Sequence, residues 1–139
     1  MEKRDFIMEQ IKQFGRVLGM ILAGILRLKE KGKSGEIYRY VENEMMDHLH
    51  VSFQNMADLS DDQFVNMIMR EIKLPSEGME TLAEIFYELG EIQESDDLQY
   101  KYLARSLFIY EYLSEHSQTY SLSWKNKINY IKDILNPDI

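Results

Sequence analysis

Apolar residues recur along the chain at three- and four-residue steps, the spacing that puts them on one face of a helix. Ile7, Ile11, Phe14, Leu18, Ile21, Ile25 and Leu28 predict a first helix over 5–31, with Val17, Met20 and Gly24 widening its apolar face. Gly15, Gly19 and Ala23 add a row of small residues, which predicts close packing of a second helix. Gly32-Lys33-Ser34-Gly35 then turns the chain. Ile37, Val41, Met45 and Leu49 hold the inner stripe of a second helix, and Phe53 and Met56 leave its end open. Ser60 with Gln63 three residues on reads as a capping box, and Leu59 is placed to staple onto Phe64. That start signal opens a third helix whose buried face is Phe64, Val65, Ile68, Met69 and Ile72, stopped by Pro75.

Met79, Leu82, Ala83, Phe86 and Leu89 predict a fourth helix over 77–93. Ser95-Asp96-Asp97 turns the chain and sets acids where the next helix dipole favours them. A fifth helix follows over 98–114, with Leu103, Ala104, Leu107, Phe108 and Tyr110 as core candidates. Residues 115–122 read as a polar loop, and Trp124, Ile128, Ile131 and Leu135 as a final amphipathic helix. No two-residue alternation appears, so no sheet is expected. The expectation is an all-α fold of about six helices in one domain spanning 1–139. It comprises a hairpin over 5–50, a bridging helix over 60–74, a hairpin over 77–114 and a closing helix over 123–135, with each pair antiparallel because its connection is short.

Composition narrows the chemistry. A chain of 139 residues buries enough surface to fold without staples. It has no cysteine, which excludes disulfides, thiolate metal sites and cysteine nucleophiles, and fits a bacterial cytoplasm. The net charge of −8 is unevenly spread: residues 1–40 carry nine Lys/Arg against five Asp/Glu, and the rest carry seven against nineteen. An acidic body of that kind repels phosphate backbones, so no nucleic-acid partner is expected. The basic first segment is expected to lie against the acidic remainder or against a second copy of it. The most apolar stretch, 17–26, spans only about 15 Å as a helix, half a hydrocarbon core, so a membrane span is not expected. Glu2, Asp5 and Glu9 also spoil a signal-peptide leader. The stretch reads instead as a central helix buried on most sides.

In the second hairpin, Phe86-x-x-Leu89-Gly90-x-x-Gln93 followed by Ala104-x-x-x-Phe108 resembles a tetratricopeptide unit. In that resemblance Gly90 permits close helix approach and Ala104 is the small contact opposite it. Gln93 stands where the repeat has an aromatic, the turn is about two residues too long, and no proline closes the unit near Ser114. The opening Asp5-Phe6-Ile7-Met8-Glu9-Gln10-Ile11, with Phe14-Gly15-Arg16-Val17-Leu18, is similar to a family of small bacterial proteins without an assigned activity. That likeness implies a helical fold and a bacterial origin.

Few residues form a chemical constellation. Gly32-Lys33-Ser34 matches the end of a phosphate-binding loop, but Arg27 stands where the loop needs its first glycine and a helix precedes it. Asp47 and His50 have the spacing of a weak metal pair, near Glu44 and His48. A dinuclear carboxylate site needs more, and His116 lies far off in the chain. No Gly-x-Ser-x-Gly is present, so catalytic residues and a cofactor are not expected. Glu88, Glu91, Glu94, Asp96 and Asp97 read as an exposed face and a helix start. Aromatic side chains crowd the C-terminal third, and Tyr102, Tyr110, Tyr112, Tyr120 and Trp124 are the candidate interaction surface. The expected function is a protein-interaction or assembly module that forms a homo-oligomer in the cytoplasm. The alternative is a small-molecule-binding or enzymatic domain with its site between hairpins.

Overall fold

The computed structural model describes residues 3–117 and 121–136, and side chains from residue 8 onward. Among these residues there are helices and no strand, so the fold is all-α. The α-helices are α1 (Lys3–Glu30), α2 (Ile37–Leu49), α3 (Phe53–Asp58), α4 (Asp61–Asn66), α5 (Ser76–Glu91), α6 (Asp96–His116) and α7 (Leu122–Leu135). The chain divides into two compact units, Met1–Thr81 and Leu82–Ile139, a division the sequence pattern does not announce.

In the first unit α1 packs along α2. Phe14, Val17, Leu18, Ile21 and Ile25 meet Ile37, Val41 and Met45 as the buried faces the periodicity predicts. Helix α1 ends on a Schellman turn: Gly32 sits at φ 71°, Lys33 N donates to Leu28 O and Gly32 N donates to Lys29 O. Ser34 then opens a short 3₁₀ turn, so Gly32-Lys33-Ser34 is a helix stop and a solvated connection.

Two expectations about α1 are corrected. The stretch 17–26 is buried along one face, while Gly19, Met20, Ala23 and Leu26 are exposed and Leu22 is half-buried. The small-residue row does not receive the second helix either. An added Cβ at Gly15 or Gly19 would meet nothing within 4 Å. The close approach is one face round, at Gly24, where the Tyr40 ring lies directly over the helix and its hydroxyl donates to Met20 O at 3.3 Å. Helix α2 covers one side of α1, and the apolar positions Met20, Ala23 and Leu26 on the other side are left exposed.

Phe53 and Met56 do not extend α2. Its last turn closes on His50 at φ 57°, and both side chains are buried from the separate helix α3. Ser52 caps α3 by accepting from Asn55 N at 3.2 Å. The Glu42 carboxylate of α2 reaches the same end and accepts from the backbone N–H of Phe53 and, at 3.4 Å, of Gln54. Tyr38 donates to Gln54 Oε1 at 2.9 Å and meets the Phe53 ring edge-on.

The capping box at Ser60 and Gln63 is present in both directions, each bond 3.1 Å. The single helix expected over 60–74 is instead α4 followed by a π turn, Met67–Glu71. Pro75 bars its predecessor from helical backbone, so the chain unwinds before reaching it. Ile72 N donates to Met67 O, Lys73 takes φ 56°, and Leu74 N folds back to Ile68 O.

In the second unit α5 and α6 form an antiparallel pair. Ser106 Oγ donates to Ala83 O at 2.8 Å, and the Leu103 side chain lies against Gly90. The small residue Ala104 is therefore not the one opposite Gly90. Helix α6 is capped by Ser95, which accepts from Leu98 N, and α7 by Ser121, which accepts from Trp124 N. The buried side of α6 carries Tyr102, Leu103, Arg105, Ser106, Ile109, Tyr110 and Leu113, while Ala104, Leu107 and Phe108 are only half-buried. The predicted face is rotated because α6 mixes polar and apolar residues on all sides, which leaves its sequence without a sharp stripe. His116 belongs to the last turn of α6 rather than to a loop.

Candidate interaction surfaces

The aromatic surface predicted from sequence is mostly core. Tyr102 is 1% exposed, Tyr110 2% and Trp124 8%, so none of the three presents a ring to a partner. Their rings fill the interior of a small helical unit, which has few other large side chains to do so. Tyr112 is half-buried and stacks on His116, ring centroids 4.0 Å apart and planes 17° from parallel. Tyr120 lies outside the described residues. Among the described residues of this unit the exposed aromatic rings are Tyr100 at 59% and Tyr130 at 48%. Tyr130 lies 6.0 Å from the Tyr87 ring, whose other neighbour is the Lys127 ammonium, 3.7 Å from the centroid. Burial first, then the Glu91 carboxylate that shares its proton, raise the Tyr87 hydroxyl well above the ordinary phenol range.

The weak metal pair is not assembled into a site. Asp47 and His50 are both exposed, and among the described residues no group of three His, Asp or Glu side chains is placed to hold an ion. His48 pairs instead with Glu44, 3.1 Å away and one turn earlier in the same helix. No helix of the described residues is long and apolar enough to cross a membrane.

The outer side of α1 carries the largest displaced expectation. Met8, Gly15, Gly19, Ala23 and Leu26 follow one another at steps that keep them in a single lane, with Met20 beside it. Met8 is 49% exposed, Met20 43% and Leu26 42%. Open space above Gly15 and Gly19 makes the middle of the lane flat backbone, so another helix can approach closely there. Arg16 and Arg27 border the lane, and Arg16 lies 4.0 Å from Glu9. Sequence reasoning found the small-residue row but assigned it to the interior, because periodicity reports spacing and not the side a neighbour takes.

No family model matches the chain, and neither a curated protein nor a solved structure matches it.

Proposed function

We propose that the protein is an assembly module that pairs with a second copy of itself through the outer lane of α1. The supporting observation is the uncovered apolar lane itself, with exposed Met8, Met20 and Leu26 around a flat centre at Gly15 and Gly19. Crossed antiparallel on Gly19, two copies would bring Gly15 of one over Ala23 of the other. Glu9 would then face the basic second half of the opposite helix, where Arg27 and Lys31 are exposed. Such a two-fold contact is self-complementary in both shape and charge. Exposed Tyr100 and Tyr130 leave the second unit able to bind a further protein partner. A cytoplasmic setting is part of the same proposal. Light scattering on a size-exclusion column tests it. The expected mass is that of a dimer at micromolar concentration, falling to a monomer in Gly19→Glu. A native chain that stays monomeric as concentration rises would overturn the reading.

A further inference from the structure

The first unit contains a cleft of about 670 Å³ between the middle of α1, the end of α2 and the segment after the π turn. Its exposed lining includes His48, His50, Arg70 and Lys73 together with one carboxylate, Glu71. Deeper in, it is apolar: Phe14 is buried, and Ile11, Leu49, Val51 and Ile72 are half-buried. The amides of Gln10 and Gln13 complete one edge. Two permanent cations and two imidazoles thus gather around an apolar floor, in a chain whose net charge is −8.

Helix C-termini ordinarily present carbonyl oxygens, which suit cations. Both helix ends at this cleft bend their following backbone N–H groups back onto two of their carbonyls each. His50 N donates to Met46 O and Val51 N to Met45 O; Ile72 N donates to Met67 O and Leu74 N to Ile68 O. Each wrap depends on a residue in the left-handed region that is not glycine, His50 at φ 57° and Lys73 at φ 56°. Such backbone costs of order 1–2 kcal/mol for a residue with a Cβ and is enriched at ligand sites, as are π turns of the kind that precedes Lys73. The lining carboxylate, Glu71, already accepts from Asn66 Nδ2 at 3.3 Å. No ion pair among the described residues engages Arg70 or Lys73. Glu71 keeps its charge, so Arg70, Lys73 and Glu71 together leave one net positive charge at the mouth, with the imidazoles and amides as further hydrogen-bonding groups.

We infer that this cleft binds a small amphipathic carboxylate, with the acid group held by Arg70 and Lys73 at the mouth and its apolar body on Phe14, Ile11 and Ile72. A guanidinium fork matches a carboxylate in two parallel hydrogen bonds, and the ammonium supplies a second charge. The apolar floor supplies burial for a hydrocarbon body, as in small-molecule sites generally. The site faces a different side of α1 from the centre of the lane: Phe14 lies opposite Ala23, and Ile11, one turn before Gly15, stands at the border between the two.

Titration of the full chain with sodium decanoate, followed by backbone amide shifts, tests the inference. The expected result is saturable movement of the amides at 48–51 and 70–73. Arg70→Gln with Lys73→Gln should weaken binding about tenfold or more, the loss of one or two charge-assisted hydrogen bonds. Both residues are exposed, so the double variant should keep its native melting curve. Lys33→Gln, away from the cleft, should bind as the native chain does. Decylammonium, with the same tail and the opposite charge, should give no saturable shift at these amides. Absence of saturable decanoate shifts there, equal binding of the cation, or equal binding by the double variant would each overturn the proposal.

Discussion

Gly90 of α5 and Leu103 of α6 touch without room for a methyl group between them. A Cβ built on Gly90 would lie 2.7 Å from the Leu103 side chain and 3.3 Å from its backbone nitrogen, and Leu103 is fully buried. The contact sets how closely the two helices run. Gly90→Ala should therefore destabilise the protein by about 1–3 kcal/mol despite alanine's better helix propensity. Gly19→Ala is the contrasting case, since a Cβ there meets nothing within 4 Å. In dilute chain it should stabilise by about 1 kcal/mol. Urea denaturation of both variants checks the opposite signs.

Glu42 ties α2 to the start of α3 through the N–H groups of Phe53 and Gln54. The two residues it holds are eleven and twelve positions away, so the carboxylate acts as a cap supplied by a neighbouring helix. Glu42→Ala should cost about 2 kcal/mol, the worth of a charged hydrogen bond left unmade. Amide exchange at Phe53 should accelerate with it, and unchanged protection there would contradict the assignment.

The one-sided burial of α1 separates two substitutions that a uniformly buried helix would not. Leu18 is 0% exposed, so Leu18→Asp buries an unpaired charge and should unfold the chain, at a cost of several kcal/mol. Ala23→Asp, on the exposed lane, should leave the folded chain intact and abolish self-association. Circular dichroism melting and hydrodynamic mass, measured on both variants, read the two effects separately.

Tyr87 predicts an alkaline loss of stability. Burial and the adjacent Glu91 hold its phenol protonated far above the usual range, whereas in the unfolded chain it ionises near about 10. Below that pH both states bind the proton and the native contacts of Tyr87 contribute in full. As pH rises further the unfolded state loses the proton first, so stability falls. Melting temperature should decline above pH ~10, and Tyr87→Phe should decline less steeply. Absorbance titration should show the same number of tyrosines ionising in the folded native chain and in folded Tyr87→Phe, because Tyr87 is not among those that titrate.

The sequence by itself determined that the chain is helical, broadly where α1, α2, α5, α6 and α7 lie and how several of them begin or end, but not that α3 is a helix of its own or that 67–71 is a π turn. Gly32, Pro75 and the serines at 60 and 95 act on the few residues beside them, and the chain carries that information locally. The inward stripes of α2 and α5 were also legible, because Ile37, Val41 and Met45 in one, and Leu82, Phe86 and Leu89 in the other, leave a single apolar face to bury. The caps at Ser52 and Ser121 went unread, since nothing beside them resembles a capping box.

Tertiary structure decided the rest. Helix α1 has apolar residues on more than one side, so its pattern does not say which side α2 covers; the answer lies in Tyr40 seating on Gly24 and leaving Gly19 in water. Helix α6 has aromatics all round, and neighbours chosen in three dimensions put Tyr102 and Tyr110 inside and Tyr100 outside. The cleft joins Phe14, His50 and Lys73, which no local spacing links. Periodicity fixes the phase of a side chain around its own helix, whereas burial and charge clustering depend on which other helix arrives, and that contact is made between residues far apart in the chain.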